Sequence, residues 1–332
     1  MNTKVPPKAD GGQGLREATE HSVSGASFQM VARKRYGRWV SAVILIGLLF
    51  LALRSITTNP RMQWGVVGEY FFSSSVLDGL LHTLLLTLCV MMLGIALGTV
   101  IAVMRYSGNP VLSTAAATYV WAIRSIPPLV QLLIWYNIAA VYPKVSLDLP
   151  IFGEIFSSNA NEFITPFTAA LLALGLNESA YMGEIIRSGI SSVGAGQVEA
   201  AQSLGFSGGK TMRRVILPQA VRVIIPPTGN EVITVLKVTS LVSIISMTDL
   251  LYSVQLIYSK TFQTIPLLVV ACIWYLIVTS VLALIQRTIE RKLSLNNSTR
   301  PGFIHQLSGG LSRLASFGRA EDSKSKQIGG QR

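Results

Sequence analysis

An all-α integral membrane fold with about six transmembrane helices is what this sequence predicts. Half of the 332 residues are hydrophobic and only 13% are charged, a much smaller charged share than an ordinary soluble domain carries. Six apolar runs follow one another, each near the ~20 residues that a helix needs to cross a ~30 Å hydrocarbon core. Lysine and arginine fall almost wholly into alternate connections between those runs, the asymmetry that orients a chain in a bilayer.

Residues 1–36 are rich in Gly, Ser, Ala, Lys and Glu with little aliphatic content. Such a segment buries too little apolar surface to fold alone, so a disordered cytoplasmic tail is expected. The first apolar run, 39–57, follows Arg33, Lys34, Arg35 and Arg38, which is the charge order of a signal sequence. It begins far from Met1 and has no small-x-small cleavage site, and therefore reads as an uncleaved helix. With an external loop it makes up residues 37–78. The remaining runs are 80–104, 111–140, 163–183, 222–247 and 267–286. Arg124, Pro127 and Pro128 interrupt the third; the fifth is expected to start at Pro226 and Pro227 and carries Lys237. Broken helices are tolerated where the freed backbone faces protein or a wet cavity. Gly94 and Gly98 form a G-x-x-x-G pair in the second run, which either lets two helices approach closely or reflects only how common Gly is in membrane helices. Residues 294–332 resemble the N-terminal segment in composition and are expected as a second disordered cytoplasmic tail.

With both termini in the cytoplasm, the inner segments hold 22 Lys and Arg residues and the outer segments 4. That ratio orients the chain. The net charge of +12 could suggest nucleic acid, but the cations lie in short stretches between apolar runs instead of forming one basic face. Cys89 and Cys272 lie inside apolar runs, where a thiol behaves as a small hydrophobe. His21, His82 and His305 are too scattered to write down a metal-ligand cluster.

The inner segment from Glu184 to Arg222, 39 residues long, exceeds what a tight connection needs, and long loops in compact proteins are usually functional. Within it Gln197 to Leu204 contains good helix formers, with Val198, Ala201 and Leu204 at near-helical spacing, and Gly205 suits a left-handed cap. A short amphipathic helix between two spans can rest on lipid or insert into the groove of a partner. Further on, Gly205 to Thr211 imitates a phosphate-binding loop. It has three residues between its glycines where that motif needs four, and it follows a helix instead of a strand. ATP binding by this chain is therefore rejected.

Glu199-Ala200-Ala201, then Gly205, then Leu217-Pro218 with Val215 shortly before, resembles the EAA loop of ABC importer membrane subunits, where Ile is usual at the Val215 position. NESAYMGEIIRSGI from Asn177, VILPQAVRVIIPPTGNEVI and VTSLVSII resemble the polar-amino-acid uptake permeases of the histidine and glutamine type. The similarity runs from about Gly79 to Leu293. It implies a five-helix ABC importer type I permease core over 79–293, with a coupling loop at 188–220 and one extra N-terminal helix. By the same resemblance Glu199, Ala200, Ala201, Gly205, Leu217 and Pro218 would couple to a separate ATPase. The protein would sit in the bacterial cytoplasmic (inner) membrane and import polar amino acids. The resemblance further implies a second permease, identical or paralogous, two ATP-binding subunits and a substrate-binding protein. No cofactor would be bound by this chain, with ATP and Mg on the partner ATPase.

Arg124, Glu178, Glu231 and Lys237 are charges within spans, and such residues need a partner or a purpose. Glu178 or Glu231 could attract the ammonium of an amino acid, and Arg124 or Lys237 its carboxylate. The alternative is that the four pair with one another or lie near the interfaces. Glu184 and Arg187 read as interface residues at the inner end of the fourth run. The competing function, an ion-gradient-driven secondary amino acid transporter, usually shows internal repeats with paired broken helices, and no repeat is visible. A membrane-embedded enzyme would need a nucleophile with its base, or a metal set, and neither is found.

Overall fold

The computed structural model describes residues 36–149 and 153–293. The tail expected at 294–332 lies outside the described residues, as does the tail at 1–36 apart from Tyr36. The chain divides into two compact units, Met1–Pro60 and Arg61–Arg332.

The described part of the first unit is one helix, α1 (Tyr36–Thr58). From Val40 onward its aliphatic side chains, Val43, Leu45, Leu49 and Leu53 among them, are exposed on every face. A helix that is apolar all round suits lipid. Near its end the Thr57 and Thr58 hydroxyls donate to the Leu53 and Arg54 carbonyls at 2.9 and 2.7 Å.

The second unit begins with a short helix, α2 (Trp64–Phe71), and then α3 (Ser74–Tyr106), which has 33 residues. At 1.5 Å per residue α3 is ~50 Å long, more than the hydrocarbon core requires. The third predicted run breaks where the sequence indicates. It forms α4 (Pro110–Ser125) and α5 (Pro128–Tyr136), bent by 98°. Pro128 starts α5 at the position where a missing N–H costs nothing, and Ile126 and Pro127 are extended. After a turn of helix, α6 (Ile138–Val141), comes an antiparallel hairpin of β1 (Lys144–Leu149) and β2 (Gly153–Asn159), with a register irregularity at Leu147/Asp148. The hairpin is an addition to the helical fold that the sequence reading did not anticipate.

A short α7 (Ala160–Phe163) leads into α8 (Pro166–Ser191), which packs most extensively along α3 and also contacts α4, α5 and α11. Its Ala169, Ala170, Ala173 and Leu174 join Leu86, Val90 and Leu132 in the largest buried cluster. The glycines of α3 make this crossing possible. A Cβ at Gly94 would lie 2.6 Å from Glu178 Cγ, and one at Gly98 2.6 Å from Met182 Cβ and 2.9 Å from the Gly183 nitrogen. The close-approach reading of the G-x-x-x-G pair is therefore the right one.

The chain continues through α9 (Ala195–Ser203), α10 (Gly208–Thr211), a π turn (Met212–Ile216), α11 (Leu217–Val238) and a 3-10 turn (Thr239–Ile245). Here one expectation is corrected: Pro226 and Pro227 do not start the fifth span but lie inside α11. Proline removes helix hydrogen bonds, and packing tolerates the pair inside α11; beside it the Gln286 side chain of a neighbouring helix donates to the Pro226 carbonyl at 3.3 Å. The last helices are α12 (Leu250–Thr261) and α13 (Thr264–Leu293). Asp249 caps α12, accepting from the Leu251 and Tyr252 nitrogens at 3.2 and 2.7 Å. With α2 and the start of α3, they enclose a second cluster around Val67, Val76, Leu250, Val254 and Leu267.

Among the described residues four helical segments are long and apolar enough to cross a membrane, or five if α4 and α5 form one bent span. The fourth predicted run corresponds to α8, which has 26 residues. Its Asn177, Glu178, Glu184 and Arg187 make it less apolar, yet the neighbours that enclose it relieve it of facing lipid.

A buried acidic cavity and a capped surface helix

Two places draw together most of the residues singled out in the sequence. The first is a cavity of about 270 Å³ lined by Pro128, Leu174, Asn177, Glu178, Tyr181, Glu231, Thr234, Val235 and Val238. Helical spacing explains the list. Leu174, Asn177, Glu178 and Tyr181 share one face of α8, and Glu231, Thr234, Val235 and Val238 share one face of α11. The bend between α4 and α5 supplies Pro128. It is held by Gln131, whose amide donates to the Ile123 and Ile126 carbonyls at 2.8 and 2.9 Å. These carbonyls at the end of α4 would otherwise lack partners.

Glu178 is 4% exposed. Its Oε1 is buried and has no hydrogen-bond partner in the protein, an arrangement that calls for an explanation such as a ligand or ion. Glu231 is partly buried and near enough for the two carboxylates to repel one another when both are ionised. Arg124 lies at the last turn of α4 with its guanidinium 4.8 Å above the Tyr181 ring. Stacking of this kind holds a cation at the cavity edge without neutralising an acid. Lys237 is exposed and sits off the cavity-facing side of α11, so it does not join the lining.

Thus two of the four charges singled out, Glu178 and Glu231, line one cavity, Arg124 stacks on its Tyr181, and Lys237 lies off it. Tyr181, Asn177 and Thr234 were missed by sequence reasoning. Tyr181 and Thr234 stand three residues after Glu178 and Glu231, and Asn177 four residues before Tyr181; that helical spacing was the available signal. Glu184 and Arg187 pair with each other outside the cavity, Arg187 Nε donating to both Glu184 oxygens at 3.1 Å. Arg105 of α3 approaches the same carboxylate at 3.7 Å. This cluster ties α3 to α8.

The second place is α9. Gly205 follows it with φ +79°; its N–H donates to the Gln202 carbonyl at 2.9 Å and the Phe206 N–H to the Ala201 carbonyl at 3.0 Å. This is the Schellman pattern, in which glycine takes a left-handed backbone that a Cβ would strain. Glu199 and Ala200 are exposed, and Ala201 is buried. Leu204, expected to share the apolar face with Ala201, is 78% exposed instead, because the helix has ended by that residue. Leu217 and Pro218 open α11 and are exposed.

Beneath α9, Val198 packs against a buried cluster of Ile190, Ile216 and Ala220, which Ile186 and Ile224 also flank. The inner ends of α8 and α11 cross so closely there that a Cβ at Gly189 would lie 2.3 Å from Ile224 Cγ1. Gln219 adds a second link, donating to the Val215 carbonyl at 2.9 Å and to the side chain of Gln197. In the phosphate-loop imitation Gly205 caps α9 and Gly208 and Gly209 fold into the helical turn α10, not into a loop after a strand.

Comparison with known proteins agrees with this geometry. The model of a family described as "Binding-protein-dependent transport system inner membrane component" matches residues 91–295. The arginine transport system permease protein ArgU of Corynebacterium glutamicum is 44% identical over 273 residues, 82% of this chain and 84% of that protein. The L-cystine transport system permease protein TcyB of Bacillus subtilis is 35% identical over 242 residues, 73% of this chain and 95% of that protein. Among solved structures, the crystal structure of an amino acid ABC transporter with histidines matches with a TM-score of 0.57 at 35% identity, covering 66% of this chain and 94% of that one.

Proposed function

The chain belongs to the binding-protein-dependent transport system inner membrane component family, and from that premise we propose that it carries amino acids inward and takes its drive from a separate ATPase docked on α9. It is the multi-pass permease subunit of an amino-acid ABC importer, not an enzyme, and ATP hydrolysis belongs to a separate partner. Inward transport follows from the EAA loop, which marks importers. In this reading both termini are cytoplasmic, ATP and Mg are held by two ATP-binding subunits, and this chain pairs with a second permease, identical or paralogous. A substrate-binding protein delivers the amino acid. A dimer is needed because one core has no second half to rock against.

The observation that carries the coupling role is the route from α9 to the cavity. An exposed Glu199 stands on a helix ended by the Gly205 cap, with Val198 seated on the inner ends of α8 and α11. ATP-driven closure of the two ATPases would shift this helix, and the packed helix ends would carry the shift into the cavity walls. Ala200, Leu217 and Pro218, all exposed, complete the docking surface, and the buried Ala201 backs it from within the chain.

Substrate chemistry is proposed from the cavity. Glu178 and Glu231 face a cavity at whose edge Arg124 stands, so an α-ammonium meets carboxylate and an α-carboxylate meets guanidinium. Two acids against one cation favour an amino acid whose side chain is itself positive, which accords with the similarity to an arginine permease. Lys237 is left with a role at the outer end of α11.

The test is reconstitution with the ATPase and the binding protein in proteoliposomes. Glu199→Ala and Gly205→Val are expected to insert normally and to lose uptake while ATP hydrolysis continues. Full uptake in both variants would overturn the coupling role. Uptake without any ATPase subunit would favour a gradient-driven carrier instead.

A further inference from the structure

At the end of α3 opposite Arg105, α2, α3 and α12 enclose a polar cavity of about 570 Å³. Asp78, in its lining, and Arg105 lie near the two ends of α3, ~40 Å apart at 1.5 Å per residue. The cavity shares no lining residue with the one around Glu178. Asp78 and His82 come from α3 at i and i+4, one turn apart. Ser253 and Lys260 come from α12 at i and i+7, again on one face, and Tyr70 comes from α2. Behind Ser253, which is 3% exposed, α12 crosses α3 so closely that a Cβ at Gly79 would lie 2.7 Å from the Asp249 carbonyl oxygen and collide with Ser253 Oγ. The two charged walls are thus held in fixed register.

Asp78, His82 and Lys260 are exposed. None of them forms an ion pair or a side-chain hydrogen bond among the described residues. Asp78 and Lys260 therefore bring opposite charges to one cavity without closing on each other. A ligand carrying both signs satisfies both walls, whereas a simple cation or anion satisfies one and is repelled by the other. The volume falls in the range of small-molecule sites, and Leu256 and Ile257 add an apolar wall beside the hydroxyls. As the permease subunit of an amino-acid importer, the chain meets one such zwitterion as its cargo.

We propose that this cavity is a second amino-acid site, in which Asp78 holds the α-ammonium and Lys260 the α-carboxylate. It recognises the part that all α-amino acids share and is tolerant of the side chain. In the orientation proposed above it opens on the outer side, where a binding protein would release the amino acid. Neither the coupling role of α9 nor a substrate role for Glu178 is needed for binding here.

The test is a reporter inside the cavity. In the full-length chain, Cys89→Ala and Cys272→Ala remove the two native thiols, and Ser75→Cys places one in the lining; Thr248→Cys is the second reporter should the first label poorly. The rate of labelling by a small water-soluble maleimide is measured in detergent. L-Arginine and L-glutamine are both expected to slow labelling about tenfold at ~10 times the dissociation constant, and agmatine, which lacks the carboxylate, to leave it unchanged. Asp78→Asn and Lys260→Gln should each raise the protecting concentration about tenfold, and Lys260→Arg should preserve it. Absence of protection by both amino acids would overturn the proposal, as would equal protection by agmatine. So would protection that survives both Asp78→Asn and Lys260→Gln; its loss in Glu178→Gln would then place the ligand in the other cavity. Protection by a short-chain phosphatidylethanolamine where neither amino acid protects would assign the two charges to a lipid headgroup and overturn it as well.

Discussion

Glu178 and Gly205 respond to substitution for opposite reasons. Glu178 is confined, with its Cγ against Gly94 and one oxygen unpartnered. Its replacement by Gln keeps the shape and removes the charge. If that charge meets the substrate's ammonium, Glu178→Gln should raise the half-saturating concentration for a cationic amino acid by about tenfold or more, since losing one member of a desolvated charge pair is costly. Lys237→Gln, off the lining, should leave it unchanged. Uptake kinetics of the two variants decide the matter, and an unaltered Glu178→Gln would return the carboxylate to a purely structural role. Gly205 is unconfined: an added Cβ meets nothing within 4 Å, and only its φ of +79° makes glycine necessary. Gly205→Ala should therefore weaken the end of α9 by about 1–2 kcal/mol, with Gly205→Asn recovering much of it. Co-purification of the ATPase at rising detergent concentration would follow that order. The cap was legible because glycine after a run of helix formers has few other uses. The exposure of Leu204 was not, because near-helical spacing cannot say that the helix has already ended.

At the level of elements the crossing of α3 and α8 is the least forgiving contact. At Gly98 the obstruction is the Met182 Cβ and the Gly183 backbone, which cannot swing aside as the end of a flexible side chain can. Gly98→Leu is expected to separate the helices, to cost at least ~1–3 kcal/mol of overpacking, and to lower the yield of monodisperse protein in size-exclusion chromatography. Gly68→Ala, where nothing lies within 4 Å of the added atom, serves as the control and should behave as wild type. The same elements show where a sequence speaks clearly. Long apolar runs announced α3 and α13, and Pro127-Pro128 announced the bend between α4 and α5. Prolines misled at 226–227, because the helix continues through both of them, where the sequence alone suggests a start. Length and apolarity could not reveal α12, which is short and amphipathic, though Asp249 before it was a readable cap. The alternation in Lys144-Val145-Ser146-Leu147-Asp148-Leu149 was likewise a strand signal, outweighed by the helical character of everything around it.

For the whole molecule the open issue is what α1 contributes, since the two compact units meet at Pro60 and the family match begins only at residue 91. Orientation supplies a physical criterion. In the orientation proposed above, removing residues 1–60 deletes a span that would start on the inner side, so the new N-terminus at Arg61 would have to be translocated. In that orientation the remaining connections would hold 15 Lys and Arg residues inside and 3 outside, an asymmetry sufficient to keep the core in its original sense. Among the described residues, the hydrophobic clusters around Leu86 and Leu250 draw on residues after Pro60, so neither loses a described member. The core from Arg61 onward, led by a cleavable signal peptide, is therefore expected to insert with α9 on the ATPase side and to retain uptake within about twofold, surface electrostatics away from a site being weak. Labelling of single cysteines placed at Ser203 and at Lys260 reads the orientation, and reconstituted uptake reads the function. Correct orientation with uptake lost would make α1 part of the transport machinery. Inverted labelling would make it the element that sets the topology of the rest.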